Sequence, residues 1–216
     1  MIRVILVRHG ETDWNKSRRI QGSNSDTPLN ERGREQVEAL ALRLKQERIK
    51  AIYSSPLRRA LDTAKAIACQ HQLEIQIESS LREINVGELE GVEISSLGKR
   101  LDELLTIRGQ DQKQAGVEKD LWNKIQRIGG ESLTELQQRA WDTLQHIVSQ
   151  HSDGMIVVAS HYFTILTIIC AVLNLPLSQI GRLRLGAGSI STITFDEPVS
   201  HLILFNDSCH LITQNH

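Results

Sequence analysis

The sequence has no Cys-x-x-Cys pair, no excess charge of either sign, and only one hydrophobic run near the length of a membrane span. Its three cysteines, Cys69, Cys170 and Cys209, are odd in number and far apart. That excludes a disulfide framework and predicts free thiols in a reducing compartment. The 25 basic and 26 acidic side chains leave a net charge of −1. No general field is present to hold nucleic acid or an anionic membrane, so a bound anion has to meet a local cluster of positive charge. The early apolar run Val4 to Val7 stops at Arg8, too short for a signal peptide. The stretch 155–175 approaches the roughly 20 residues of a span. It contains Ser160, His161, Tyr162 and Asn174 and opens with a β-branched run, so a buried strand followed by a buried helix is the better reading.

Three ligand-binding signals are missing as well. Gly10 is the only glycine of a Gly-x-Gly-x-x-Gly pattern after the first strand, Gly98-Lys99 lacks P-loop spacing, and the eight histidines include no His-x-x-x-His pair. Dinucleotide binding, P-loop chemistry and a helix-borne zinc site therefore have no support. At 40% hydrophobic and 24% charged residues the chain is globular in composition, and its 216 residues are expected to form one domain, 1–216. The expectation is a soluble cytoplasmic protein.

What is present is an alternation of short apolar runs with helical patterns, which predicts an α/β fold: a three-layer α/β/α sandwich on a mostly parallel mixed sheet with an antiparallel edge strand. Strands are expected at 2–7, 49–54, 74–77, 155–159, 189–195 and 201–205, with a turn at 196–200 between the last two. Val37, Leu40, Ala41 and Leu44 stripe a helix over 31–47 behind Asn30 as cap. Leu57, Ala60, Leu61, Ala64, Ile67 and Ala68 stripe another, entered through Ser55 as cap and Pro56 as its first residue. Ser132 with Glu135 reads as a capping box for a third. Residues 92–131 read as a helical excursion over one edge, interrupted by a polar stretch at 109–116.

Open α/β sheets bind ligands beyond the C-terminal ends of their strands. The first strand runs into Arg8-His9-Gly10-Glu11-Thr12, the 155–159 strand into Ser160-His161, and the second into Ser54-Ser55-Pro56 ahead of Arg58 and Arg59. Guanidinium forks and helix N-termini on one rim describe an anion site. Taken singly, each of these residues has an ordinary structural reading: a hydrogen-bonded histidine, a solvated helix arginine, a loop carboxylate. The combination is what points to chemistry.

That combination resembles the histidine phosphatase superfamily, the fold shared by cofactor-dependent phosphoglycerate mutases and many small phosphatases. The likeness runs through Leu6-Val-Arg-His-Gly-Glu-Thr12, Asn15, Gln21-Gly22, Asp26-Thr27-Pro28-Leu29, Gly33 and Gln36. It continues through Tyr53-Ser-Ser-Pro-Leu-Arg-Arg-Ala60, Thr63-Ala64, Leu81-Arg-Glu83, Gly87-Glu-Leu-Glu-Gly91, Gly130-Glu-Ser132 and Ser160-His161. The resemblance implies His9 as nucleophile, forming a phosphohistidine, with Arg8, Arg58 and a cationic His161 around the phosphoryl group. Glu83 is implied as the acid that protonates the leaving oxygen and then activates water. Asn15, Gln21, Gly22, Thr27, Asn85, Tyr162 and His210 are the expected substrate-binding residues. No metal and no cofactor are implied.

Two positions depart from the family pattern. Tyr162 and Phe163 follow His161 where the family often has glycine, and Leu89 stands where a tryptophan is common. The bulk after His161 either narrows the pocket or packs beneath it. Phosphoglycerate mutases carry a longer insertion after the acid residue, so the chain is similar to the phosphatase branch, an ending that Phe205-Asn-Asp-Ser-Cys-His-Leu211 also resembles. The expected partner is a small phosphate ester, with L-phosphoserine ahead of sugar phosphates, phosphoglycerate and a ribazole phosphate. A mutase and a non-catalytic phospho-ligand module are the alternatives, and a homodimer is left open.

Overall fold

The computed structural model describes residues 1–108, 121–196 and 199–214. The polar stretch expected at 109–116 and part of the turn at 196–200 lie outside them. The described elements are β1 (Ile2–Arg8), α1 (Asp13–Lys16), α2 (Glu31–Leu44), β2 (Ile49–Ser54), α3 (Arg58–His71), β3 (Ile75–Ile77), α4 (Leu97–Ile107), α5 (Leu121–Arg127), α6 (Leu133–Ser149), β4 (Gly154–Ser160), α7 (Tyr162–Val172), β5 (Ile190–Asp196) and β6 (Val199–Asp207), with short 3₁₀ turns between several of them.

The strands form one six-stranded sheet in the order β3-β2-β4-β1-β5-β6. β1, β2, β3 and β4 are parallel, whereas β5 pairs antiparallel with both β1 and β6. β5, next to the edge, is therefore the strand that runs against the others, and β6, antiparallel to β5, runs in the same direction as β1. Central strands must bury both faces, and alternate residues of β1 do so. Ile5 and Val7 pack under α2 and α3 with Leu40, Leu44, Ala64 and Ile67, while Val4 and Leu6 face α6 and α7 with Leu136, Leu144, Ile165 and Ile169. The run 155–175 is a strand and a helix, and no helix among the described residues is long and apolar enough to cross a membrane.

Caps hold where the sequence placed two of them. Asn30 accepts the Gly33 N–H at 2.8 Å, and Ser132 and Glu135 form a reciprocal capping box on α6. The third differs. α3 starts at Arg58, its cap position is Leu57, and no local side chain serves it. Asp26 reaches across instead and accepts the Arg58 N–H at 2.6 Å. Ser55 is thereby free for another role: its hydroxyl accepts the Leu57 N–H and bonds the His161 ring.

One close approach fixes the loop after β1. A Cβ on Gly33 would stand 2.0 Å from the Glu11 carbonyl oxygen, and one on Gly10 would stand 2.5 Å from that of Gly33. Helix α2 therefore presses directly on the backbone that carries His9. Gly33→Ala is expected to destabilise by about 3 kcal/mol, the scale of an overpacked core, and to lower activity with it. Thermal unfolding checks this; an unchanged melting temperature would mean that the loop and helix separate without cost.

Candidate active site

Because β1 and β4 are parallel neighbours with Arg8 opposite Ser160, the two residues that follow them, His9 and His161, come side by side. Their ring centroids are 5.2 Å apart. The His9 N–H donates to Ser160 O at 3.0 Å, tying the two strand ends together. His9 Nδ1 lies 2.7 Å from the Gly10 carbonyl. A carbonyl oxygen can only accept, so this bond places the proton on Nδ1 and leaves Nε2 with its lone pair. The ring borders a cavity of about 500 Å³ whose lining also includes Arg8, Asn15, Gln21, Glu83, Tyr162 and Phe163.

Both imidazoles are kept neutral. Burial, then the charges of Arg59 and Arg8, holds His9 well below its ordinary pKa, and burial, then Arg59, does the same to His161. Burial beside these guanidiniums opposes the cationic form of His161 that the resemblance implies. His161 Nε2 is 2.8 Å from Ser55 Oγ, while its Nδ1 and the Arg8 Nε are buried without a partner among the described residues. Such groups are costly unless a ligand satisfies them.

The arginines also sort differently from expectation. Arg58 points outward, its side chain 61% exposed and 3.6 Å from Asp62. Arg59 is the fully buried one. Its guanidinium donates to Ser25 O at 2.7 Å and Gly22 O at 3.0 Å, and once the Gln21 amide is turned so that its oxygen meets the surrounding donors, Arg59 Nε donates to that oxygen at 2.6 Å. Gln21 and Gly22 therefore hold Arg59. Burial pushes the Arg59 pKa down to about 10, so it remains charged at neutral pH. The helix period carried the signal: Arg58, Asp62 and Lys65 share an outer face, whereas Arg59 and Thr63 share the inner one. Arg8 lies under the ring of Tyr162, 4.9 Å from its centroid, and donates to Leu185 O.

The Glu83 carboxylate sits at the N-terminus of α7. Oε1 accepts from the N–H groups of Ile84 and Thr164 and from the Thr164 hydroxyl, and Oε2 accepts from the Phe163 N–H at 3.1 Å. Oε2 retains acceptor capacity toward the cavity. Asn15 commits its oxygen to the Thr12 N–H and keeps its Nδ2 donor. The Thr27 hydroxyl lies within hydrogen-bonding distance of the Gln21 amide, and Thr27 is not among the residues that line the cavity.

Two expected substrate contacts are placed elsewhere. Asn85 borders a neighbouring cavity with Arg82, Glu131 and Arg139, and its side-chain oxygen accepts the Gly87 N–H. The Glu83 carboxylate and the Arg82 carbonyl of that loop meet α7, whereas the Asn85 side chain does not. His210 bonds the Gly188 carbonyl and does not line the His9 cavity, since Gly188 lies between it and the Arg8-His9 backbone. Tyr162 and Phe163 line the cavity, so their bulk shapes it rather than packing beneath it. Residues missed in the sequence are Arg59, Ser55 and Thr164; the last two are unremarkable hydroxyls whose roles arise only from tertiary contacts.

Known proteins match this arrangement over nearly the whole chain. The family model of the histidine phosphatase superfamily (branch 1) covers residues 4–208. Phosphoserine phosphatase 1 of Hydrogenobacter thermophilus is 33% identical over 98% of this chain and 95% of its own. A probable phosphoglycerate mutase of Salmonella paratyphi A is 35% identical over 91% of this chain and 86% of its own. Among solved structures, a histidine-to-alanine mutant of phosphoserine phosphatase from Entamoeba histolytica, in complex with phosphoserine, superposes with a TM-score of 0.79 at 29% identity, covering 98% of this chain and 100% of that one. The neutral histidine between buried arginines stands in a chain that belongs to branch 1 of the histidine phosphatase superfamily and is a phosphatase.

Proposed function

We propose that the protein hydrolyses a small phosphate monoester, without a metal, through a phosphohistidine on His9, and that L-phosphoserine is the leading substrate. The observation that carries the mechanism is the Nδ1 bond to Gly10, which presents the His9 Nε2 lone pair beside the Arg8 guanidinium and the Glu83 carboxyl. Nε2 attacks phosphorus, the phosphorus–oxygen ester bond breaks, and Glu83 gives its proton to the departing oxygen. Water then attacks the phosphohistidine, Glu83 takes a proton from it, and phosphate leaves. Arg8 and Arg59 supply the positive charge that balances the equatorial oxygens. The unpartnered Nε of Arg8, a residue of the cavity wall, is a donor that a phosphoryl oxygen would satisfy; His161, whose Nδ1 is also unpartnered, stands behind His9 and is not part of that wall.

The substrate reading rests on the phosphoserine phosphatases among the relatives and on the charges at the cavity. Its lining includes Arg18, Arg19 and Glu11, both signs together, which suits an ester that carries a carboxylate and an ammonium. The free thiols Cys69, Cys170 and Cys209 suit the cytoplasm. The test is phosphate release from phosphoserine, phosphothreonine, 3-phosphoglycerate, sugar phosphates and p-nitrophenyl phosphate in EDTA. Selective release from phosphoserine, resistant to EDTA, is expected. Conversion of 3- to 2-phosphoglycerate without phosphate release would favour the mutase reading suggested by the Salmonella relative, and inhibition by EDTA would overturn metal independence.

A further inference from the structure

The stretch Gly130-Glu131-Ser132 was placed by resemblance without a role for its carboxylate. Ser132 caps α6, and Glu131 turns out to hold Arg139, two turns along that helix. The pair is bidentate: Arg139 Nε donates to Glu131 Oε1 at 2.6 Å and Nη2 to Oε2 at 2.9 Å. The remaining donors go to backbone carbonyls: Nη1 to Ser80, in the short 3₁₀ turn that leads into the Glu83 loop, and to Arg82, and Nη2 to Glu83 at 3.1 Å. All five guanidinium N–H groups are thus used. Glu131 adds two more links to the same loop, accepting the Asn85 N–H at 3.2 Å and donating its own N–H to Asn85 O at 2.7 Å. Both partners are mostly buried, with 25% and 15% of their side chains exposed.

This loop, 82–86, belongs to no strand or helix, so no ladder of backbone bonds fixes it. It is held on one side by Arg139 and Glu131, which bind the backbone on either side of the Glu83 side chain. On the other side, the Glu83 carboxylate docks on the first N–H groups of α7. Neither Arg139 nor Glu131 lines the His9 cavity. We propose that Arg139 and Glu131 are positioning residues: their ion pair sets the place of the Glu83 carboxyl relative to His9, and so governs proton delivery to the leaving group. The inference rests on Glu83 acting as the acid in the reaction proposed above. A bidentate fork suits the task because it fixes angle as well as distance, and a displacement of about 1 Å can cost on the order of 100-fold in rate.

A purely structural clamp would slow every substrate equally, whereas a proton-delivery clamp is selective for leaving groups that need the proton. The experiment is the single-turnover rate of His9 phosphorylation by phenyl phosphate and by p-nitrophenyl phosphate in wild type, Arg139→Lys, Arg139→Met, Glu131→Gln and Glu83→Gln. Expected is a loss of about tenfold or more for phenyl phosphate and less than about threefold for p-nitrophenyl phosphate in the Arg139 variants, with competitive inhibition by inorganic phosphate unchanged. Combining Arg139→Lys with Glu83→Gln should add nothing to Glu83→Gln alone, because both act on one proton. Equal losses for the two esters in a folded variant, or no loss, would overturn the proposal. Should Arg139→Met fail to fold, Arg139→Lys and Glu131→Gln, which keep hydrogen-bonding groups in place, decide by the same comparison. A wild type that phosphorylates His9 with neither ester would overturn the reading of the site and this inference with it, whereas an active wild type with uniformly slowed variants overturns this inference alone.

Discussion

Replacing His9 with alanine is expected to lower turnover by at least about 10⁴-fold while the protein still folds. Loss on that scale accompanies removal of a covalent nucleophile, since no neighbouring group takes over bond formation to phosphorus. His161 is no substitute, because its Nε2 is engaged by Ser55. The fold should survive: among the described residues the His9 side chain hydrogen-bonds to the carbonyl of Gly10 alone, and the strand ends stay joined through its backbone. ³¹P spectroscopy of the quenched enzyme should show a phosphohistidine in wild type and none in the variant. Retention of most activity would remove the central claim.

The pH dependence follows from the same ring. His9 is active when neutral and is held neutral well below pH 6.5 by burial and by Arg59 and Arg8. The rate constant kcat/KM should therefore stay level as pH falls through 6.5 and bend only further down. Stability runs the other way. In the unfolded chain His9 and His161 take up protons near pH 6.5, whereas in the folded chain they do not, so stability present above that pH is lost as pH falls below it. His9→Ala removes one of these two protons, and its melting temperature should fall less than that of wild type between pH 7.5 and 5.5.

Much of this was legible in the sequence because strand ends are where it writes position most directly. The unbroken apolar run Val4 to Val7 reads as part of a central strand, and its last residue fixes where Arg8 and His9 emerge. The same logic placed His161, and parallel pairing then brought the rings together without any further information. Side-chain direction across a loop was not legible. Asn85 stands two residues from Glu83 and faces a different cavity, because the loop has no period from which direction can be read. The cap of α3 was missed for a related reason: local pattern points to Ser55, but a long-range contact with Asp26 supplied the acceptor, and Ser55 went to His161. The lowered pKa of His161 comes first from its own burial and then from Arg59, and only the packed structure reveals either.

That arginine gives the second large effect. Arg59→Lys is expected to lower kcat/KM by about 10²- to 10³-fold, and Arg58→Ala by less than about threefold, although the two residues are adjacent. Arg59 is held by three oxygens of the 21–25 loop and is fully buried beside both imidazoles. In so dry a place a fixed positive charge acts strongly on a dianionic phosphoryl group, and a lysine there keeps the charge but loses the fork that aims it. Arg58 has only a surface partner, Asp62, and pairs of that kind contribute little. What Arg58 gives the fold is its backbone N–H to Asp26, which alanine retains. Rates have to be normalised to folded protein, because Arg59→Lys also loosens the loop around Gln21; a loss that vanishes on normalisation would make Arg59 a purely structural residue. A larger loss for Arg58→Ala than for Arg59→Lys would return the role to the residue that the sequence pattern first suggested.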